Sequence, residues 1–203
     1  METRVLKAEA PGAVEEAAAA LGRGEVVAFP TDTVYGVAAG HGHIEKLFAA
    51  KGRPKDKRIP VLLSDASHLE GSAIVTPTAR ALADRFWPGP LTIVLAAPRR
   101  GTLAFRVPAS DVARRLIAAS GGGLPVTSAN RSGEADATTA EEVLEQLGGR
   151  IALVLDGGRT PGGVPSTVVD CTGNDVKILR EGAIPEWRID HALREVRFGR
   201  GAA

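Results

Sequence analysis

The sequence predicts an α/β (α+β) fold, with helices packed over one twisted, open, mixed sheet. The first observation is that short apolar runs of strand type alternate along the chain with segments of helical spacing. The second is that these runs are unevenly spaced, whereas an all-parallel sheet needs a regular alternation of strand and crossover helix. The third is that 203 residues with 44% hydrophobic side chains suit one core of ordinary size. We therefore expect residues 1–203 to form a single domain, with 188–203 as a short charged tail.

Eight runs have the composition of strands, because β-branched and other apolar residues dominate them. Eight strands are enough for one sizeable sheet. The runs are 25–29, 59–63, 91–96, 103–107, 125–127, 151–155, 167–170 and 176–179.

Four segments show the spacing of a helix with one apolar face. Thr139 and Glu142 form a capping-box signature at the start of one, and Pro77 suits the first turn of another, which Trp87-Pro88-Gly89-Pro90 would end. The segments are 14–21, 44–51, 77–86 and 139–147, and one more short helix is expected within the tail.

Composition and charge narrow the function classes. Lys+Arg 25 against Asp+Glu 24 gives a formal net charge of +1, which does not supply the broad positive field of a dedicated DNA coat or a binder of anionic membranes. No apolar run approaches the ~18 residues of a membrane span, and Glu2 and Glu9 stand where a signal peptide needs an uncharged core. The single cysteine, Cys171, fits a reducing compartment. We therefore expect a cytoplasmic protein with no membrane partner.

Common nucleotide and metal motifs are absent from the sequence. It has no G-x-x-x-x-G-K-[ST] loop, no G-x-G-x-x-G after a strand, no H-E-x-x-H and no paired C-x-x-C. His41 and His43 lie in a Gly-rich turn without an obvious third ligand, so we assign no metal to them. A bound nucleotide would need another cradle.

Polar residues cluster at predicted strand ends, where ligands commonly bind in open sheets. Thr31, Asp32 and Thr33 directly follow one strand, although such a turn can also satisfy its own backbone. Ser128 and Asn130 follow another strand and lie two residues apart, so an extended backbone would point both to one side.

Cations stand out in two places. Residues 51–58 hold five cations and one anion, which fits a solvated basic face or a polyphosphate site, and we favour the anion site. Arg106 lies in an apolar strand, where a guanidinium needs a carboxylate, either an internal Asp or Glu or that of a ligand. The Gly-rich segments 156–159 and 162–167 could offer backbone amides to an anion or form a plain long hairpin.

Six ordered segments resemble the YrdC-like family of threonylcarbamoyl-AMP synthases: PTDTVYG, KGRP, FWPGPLT, FRVP, PVTSANRSG and GVPSTVVD. They span Pro30 to Asp170, and the strand that ends at Arg180 before Glu181-Gly182 extends the likeness to most of the chain. The resemblance implies a short single-domain form of the family fold, a twisted open sheet with a positively charged concave face. It also implies that L-threonine, bicarbonate and ATP are joined into L-threonylcarbamoyladenylate and pyrophosphate, for the threonylcarbamoyladenosine modification of tRNA.

The resemblance also assigns roles to residues at matching positions. The implied catalytic residues are Lys51, Arg53, Ser128 and Asn130, of which the two cations would neutralise the triphosphate and the departing pyrophosphate. The positions implied to bind ATP are Arg53, Lys57, Thr102, Ser128, Asp136 and Arg180. The positions implied around threonine are Thr31, Thr33, Arg106, Val126 and Ser166. ATP would arrive with Mg²⁺, without a prosthetic group, and the implied macromolecular partners are tRNA and threonylcarbamoyl-transferase proteins.

Two positions depart from the family pattern. Asp136 would put a negative charge near the nucleotide, so we expect its loop to be displaced or its side chain to face solvent. Leu62 stands where some longer relatives carry a histidine near threonine. These departures leave a family member with a changed substrate as one alternative, and a module that binds double-stranded RNA or tRNA is the other.

Overall fold

The computed structural model describes residues 2–98, 100–173 and 175–197. Within these ranges the chain forms ten strands, six α-helices and one 3₁₀ turn, Ala66–Leu69. The strands are β1 (Arg4–Lys7), β2 (Val26–Phe29), β3 (Gly36–Ala39), β4 (Val61–Leu63), β5 (Leu91–Ala97), β6 (Gly101–Arg106), β7 (Gly123–Ser128), β8 (Leu153–Asp156), β9 (Thr167–Asp170) and β10 (Lys177–Arg180). The helices are α1 (Ala13–Gly22), α2 (Ile44–Lys51), α3 (Pro77–Phe86), α4 (Asp111–Ala119), α5 (Ala140–Leu147) and α6 (Glu186–Arg197).

The strands form one open, mixed sheet with the order β1-β8-β2-β3-β7-β4-β6-β5-β9-β10. The pairs β1–β8, β2–β8, β4–β6 and β5–β9 are parallel. The other neighbours in the sheet are antiparallel. The predicted fold class, a mixed open sheet with helices packed over it, is confirmed.

Strand β7 joins two halves of this sheet. Its residues 126–128 pair with β3, whereas 123–125 pair with β4. Pro125 stands where the partner changes, a position that suits proline because it has no N–H to give to a ladder. We call β1, β8, β2 and β3 the covered half, and β4, β6, β5, β9 and β10 the open half.

The covered half carries helices on both faces. On one face Val27 and Phe29 of β2 belong to a cluster with residues of α1 and α4. On the other face Val26 and Ala28 belong to a cluster with residues of α2 and α5. Because a layer between helices needs apolar side chains on both sides, β2, β3 and β8 are buried along their whole length.

The central strands of the open half pack against helices on one face. Ile93 and Leu95 of β5, Phe105 of β6 and Val169 of β9 form a core with residues of α3 and α6. Alternate residues of the same strands point to the other face and line a cavity. One strand therefore serves the core and the cavity at once.

The predicted helices are present, the cap expected at Thr139 is made, and Thr76, which the sequence reasoning does not single out, caps the helix that begins at Pro77. Thr139 Oγ1 accepts a hydrogen bond from the Glu142 amide at 3.3 Å, and Thr76 Oγ1 caps α3 by accepting from the Ala79 amide at 3.1 Å. Helix α4 lies outside the predicted set. Its signal is Ser110, whose hydroxyl accepts from the amide of Ala113 at 3.3 Å.

Strands β1 and β3 also lie outside the predicted set. β1 is a short edge strand whose residues are mostly exposed. β3 has the sequence Gly-Val-Ala-Ala, which favours strands weakly, but β2 and β7 flank it and supply hydrogen-bond partners on both sides. Its pairing decides its conformation more than its composition does.

The C-terminal segment contains a helix that begins earlier than expected. Helix α6 has 12 residues, and its side chains Ile189 and Ala192 are buried in the core beside α3. The last part of the expected tail, 198–203, lies outside the described residues. Among the helices in the described ranges, none is long and apolar enough to cross a bilayer.

Candidate active site

A cavity of about 620 Å³ lies against the face of the open half that α3 and α6 leave uncovered. Its volume is typical of small-molecule sites. Thr92 of β5, Ala104 of β6 and Val168 of β9 line it, since they alternate with side chains of the core. Its polar lining includes Thr31, Thr33, Arg53, Arg58, Thr102, Arg106, Thr127, Ser128, Asp136, Ser166, Asp170 and Arg180.

Arg106 ends β6 in this cavity and is 5% exposed. Its Nη2 donates to Asp32 Oδ1 at 2.5 Å, its Nη1 to Thr33 Oγ1 at 3.0 Å and its Nε to Gly89 O at 3.0 Å. Burial lowers the pKa of Arg106, and the Asp32 carboxylate opposes that change. A guanidinium has five N–H groups, so two remain for a ligand.

The sequence predicts a carboxylate partner for Arg106, and in the structure an Asp of the chain itself is that partner. Asp32 supplies it from the turn after β2, 74 residues away along the chain. A ligand carboxylate as a further partner stays a prediction.

The Thr31–Thr33 turn satisfies its own backbone and also lines the cavity. Thr31 Oγ1 donates to Val34 O at 2.7 Å and accepts from the Thr33 amide at 3.1 Å. The two hydroxyl oxygens lie 3.0 Å apart, and both residues border the cavity. The turn is thus held rigidly where a ligand would meet it.

Ser166, directly before β9, and Arg180, the last residue of β10, lie close together at the β10 edge of the sheet. Ser166 Oγ is 2.8 Å from Thr92 Oγ1, and Arg180 Nη2 donates to Ser166 O at 2.8 Å. The chain after β10 approaches closely, because a Cβ at Gly182 would lie 2.3 Å from Pro165 O. Only glycine permits this approach.

The basic segment after α2 contributes two arginines. Arg53 Nη2 donates to Arg58 O at 2.9 Å, which holds the segment in a compact turn. Arg58 Nη1 donates to Thr102 O at 3.0 Å and also to Thr102 Oγ1. The segment is thereby tied to the start of β6, with both guanidinium groups at the cavity.

The Gly-rich segment between β8 and β9 uses some of its amides within the protein and does not form a hairpin. The Gly158 amide donates to Asp156 Oδ1 at 2.9 Å and the Gly163 amide to Thr33 O at 2.8 Å, so neither is available for an anion nest. It is not a hairpin, because β8 and β9 lie in different halves of the sheet. Instead it crosses beside the Thr31–Thr33 turn and connects the two halves.

The comparisons with known proteins agree with this architecture. Residues 19–182 match the model of the Sua5/YciO/YrdC family, described as telomere recombination. The chain belongs to this family. The resemblance stated from the sequence is confirmed.

Relatives of known name are similar over most of the chain. The threonylcarbamoyl-AMP synthase of Bacillus subtilis is 40% identical over 202 residues, covering 93% of this chain and 58% of that protein. The synthase of Pyrococcus abyssi is 40% identical over 195 residues, covering 90% and 57%. The structure of P. abyssi Sua5 complexed with L-threonine matches with a TM-score of 0.86 at 36% identity, covering 94% of this chain and 61% of that one. The chain thus spans less than three fifths of the length of these two curated relatives.

Most positions assigned by the family resemblance line the cavity: Thr31, Thr33, Arg53, Thr102, Arg106, Val126, Ser128, Asp136, Ser166 and Arg180. Lys51, Lys57 and Asn130 do not line it. Lys57 is exposed, and the group it turns toward Arg53 is its backbone carbonyl, 3.4 Å from Arg53 Nε. Its predicted contact with ATP therefore has no support from its position.

The position of Lys51 differs from the expectation that its ammonium group faces the triphosphate. It is 2% exposed, and Nζ donates behind the cavity wall to Ser128 O, to Asn130 O at 2.5 Å and to Asn130 Oδ1 at 3.0 Å. Burial and the neighbouring charge of Arg53 lower the pKa of Lys51 to about 8, while Asp136 raises it. At neutral pH the ammonium form still predominates.

The sequence predicts that Asp136 lies in a displaced loop or faces solvent. Instead its loop borders the cavity and its side chain is half-buried in the cavity wall. The Tyr35 amide donates to Ala137 O at 2.8 Å and the Thr160 amide to Thr138 O at 2.9 Å, which holds the loop in place. The cavity of this chain therefore contains a carboxylate here.

Several polar groups at the site lie outside the set assigned from the sequence, among them Asp32, Arg58 and Thr92. Asp32 and Arg58 belong to segments that the sequence singles out, but nothing in one sequence shows which charges pair. Thr92 is signalled only by its alternation with the core residues of β5. Among the described residues, no cluster of three or more His, Cys, Asp or Glu side chains is placed to hold a metal ion.

Proposed function

We propose that this family member is a threonylcarbamoyl-AMP synthase, a nucleotidyltransferase that joins L-threonine, bicarbonate and ATP. The observation that carries the proposal is that Arg53, Arg106 and Arg180, from three distant segments, meet hydroxyl side chains in one cavity. The names of the two similar synthases and the threonine complex of P. abyssi Sua5 support it. The product would serve tRNA modification, through a protein that transfers the threonylcarbamoyl group to tRNA.

The reaction brings anions together, which is why it needs such a cavity. The threonine amine and bicarbonate give a carbamate and water. A carbamate oxygen then attacks the α-phosphorus of ATP, the bond to the β-phosphate oxygen breaks, and pyrophosphate leaves with both electrons of that bond. Fixed cations in a partly dehydrated site lower the repulsion between carbamate and triphosphate, and positioning supplies the rest, so no covalent enzyme intermediate is needed.

Threonine would bind at the deep end of the cavity. The two free N–H groups of Arg106 suit its carboxylate. Thr33 and Ser166 offer hydroxyl groups to its polar atoms, and Val126 offers an apolar surface to its methyl group. The Thr31 hydroxyl already donates once and accepts twice within the turn, so its role is to hold Thr33 in place.

The nucleotide would bind toward Arg53, Thr102 and Arg180. The guanidinium groups of Arg53 and Arg180 suit the phosphates, with Mg²⁺ entering as the counterion of the substrate. The carboxylate of Asp136 would repel phosphate, so it suits a hydroxyl or amino group of the nucleoside.

Mass spectrometry of the reaction product tests the proposal. Wild-type protein given L-threonine, bicarbonate and Mg·ATP should form threonylcarbamoyladenylate, and omission of any one substrate should abolish it. Arg53→Gln should lose most of the activity, whereas Lys55→Gln, an exposed change in the same segment, should retain it. No product from folded wild-type protein would reject the proposal, and a larger yield with another amino acid would favour the changed-substrate alternative.

A further inference from the structure

Lys51, Asn130 and Ser128 form a closed hydrogen-bond network behind the cavity wall. Lys51 Nζ donates to Ser128 O, Asn130 O and Asn130 Oδ1. An ammonium group has three N–H donors and no acceptor, so these bonds use its whole capacity. Lys51 therefore has no donor left for a phosphate.

The network fixes the orientation of the Asn130 amide. Lys51 can only donate, so the Asn130 atom 3.0 Å from Nζ must be the oxygen. The Glu134 carbonyl can only accept, so the Asn130 atom 2.7 Å from it must be the nitrogen. Two independent neighbours thus require the same orientation.

That orientation fixes the proton of the Ser128 hydroxyl. Ser128 Oγ lies 2.6 Å from Asn130 Oδ1, which carries no proton, so the hydroxyl must donate to it. Ser128 borders the cavity, and Asn130 lies behind it at 6% exposure. The hydroxyl proton is therefore turned away from the cavity, and only lone pairs remain for a ligand.

We propose that Ser128 accepts a hydrogen bond from a hydroxyl or amino group of the substrate, and that Lys51 is the positioning residue that enforces this through Asn130. Phosphate oxygens at neutral pH are acceptors, so Ser128 does not bind the triphosphate in this arrangement. For the identity of its ligands the inference rests on the proposed function, whose substrates carry suitable donors on the ribose, the adenine and the threonine side chain.

Calorimetry on the full chain at pH 7 tests the acceptor role. The ligands are ATP, 2′-deoxy-ATP, 3′-deoxy-ATP, purine riboside triphosphate (which lacks the 6-amino group of ATP), L-threonine and L-2-aminobutyrate, so that each analogue lacks one donor group of its parent. Wild type should bind one of these analogues about three- to tenfold more weakly than its parent. Ser128→Ala, which removes the acceptor, should bind that analogue and its parent equally.

The role of Lys51 is tested in the same titrations. Lys51→Met removes the donors at similar side-chain length and should reproduce the Ser128→Ala pattern. If Lys51 acts only through Ser128, the double variant binds no more weakly than the weaker single variant. Lys51→Arg, which keeps N–H donors, should recover part of the affinity, and Lys55→Met is the exposed control that should change nothing.

Two results would overturn the proposal. One is that the affinity losses of Lys51→Met and Ser128→Ala multiply in the double variant, because Lys51 would then contact the ligand itself. The other is that wild type binds every analogue as tightly as its parent. If Lys51→Met does not fold, Asn130→Ala breaks the same link and should show the Ser128→Ala pattern. If wild type binds the ligands but forms no product, the proposed function alone is rejected. If wild type forms product but the affinity losses of the two single variants multiply in the double variant, this inference alone is rejected. If wild type binds none of the ligands, both are rejected.

Discussion

The covered and open halves of the sheet share the same alternation of side chains along a strand but differ in what their two faces contact. In the covered half both faces of a strand such as β2 pack against helices, and all of its side chains are apolar and buried. In the open half the strands alternate, so Ile93 faces α3 and α6 while Thr92 faces the cavity. Packing and ligand binding therefore share the same strands in the open half, whereas β2 and β8 of the covered half serve packing alone.

Arg106→Met should have the largest effect, because it removes a buried charge of the open half and leaves the Asp32 carboxylate without its partner. We expect the free energy of unfolding to fall by about 3–5 kcal/mol and threonine binding to be lost. Chemical denaturation and calorimetry measure the two effects. The double variant Asp32→Asn/Arg106→Met should regain part of the stability without regaining threonine binding, and recovery of both would remove Arg106 from the site.

Leu155→Ala is the corresponding change in the covered half. Leu155 is fully buried, so the cavity left behind should lower the free energy of unfolding by about 2–5 kcal/mol. Because β8 contributes no residue to the cavity lining, the kcat/KM of the folded fraction should stay at the wild-type value. A fall in kcat/KM beyond the unfolded fraction would show that the two halves are coupled.

Arg180→Gln should show the opposite of Leu155→Ala, with a large effect on ligand binding and a small one on stability. Arg180 is an exposed residue of the edge strand β10 and the change removes its hydrogen bond to Ser166 O, so the free energy of unfolding should fall by only about 1 kcal/mol. Loss of its charge at the cavity should weaken ATP binding about tenfold in calorimetry. Lys177→Gln, on the same strand and outside the cavity lining, is the control. Equal effects of the two changes would mean that Arg180 acts only through the general field of the protein.

The smallest effect concerns pH and lies at the join between the halves. Because burial lowers the pKa of Lys51 to about 8 from 10.5, the unfolded chain binds more protons between these values, and the free energy of unfolding should rise with pH there. From pH 8 to 9 the gain should be about 1 kcal/mol relative to Lys51→Met.

Activity should move the other way across the same range, since a neutral amine has only two N–H donors for the three acceptors around it. Denaturation curves and rates taken at matched pH values measure the two trends. Identical pH dependence in wild type and Lys51→Met would exclude Lys51 as the titrating group.

The sequence alone determined most of the strands and helices whose signals are local, with α4 as the exception. The apolar run of β2, the cap Thr139, the first-turn Pro77 of α3 and the need of Arg106 for a carboxylate all follow from short-range patterns or from the cost of burying charge. The ordered motifs likewise determined the family.

Only the tertiary structure decided which groups meet. That Asp32 pairs with Arg106, that β3 becomes a strand between β2 and β7, that Asp136 remains in the cavity wall and that Lys51 turns away from it depend on contacts between distant segments. A hydrogen bond or ion pair forms wherever the fold brings a donor and an acceptor within about 3 Å, and distance along the chain does not encode that approach.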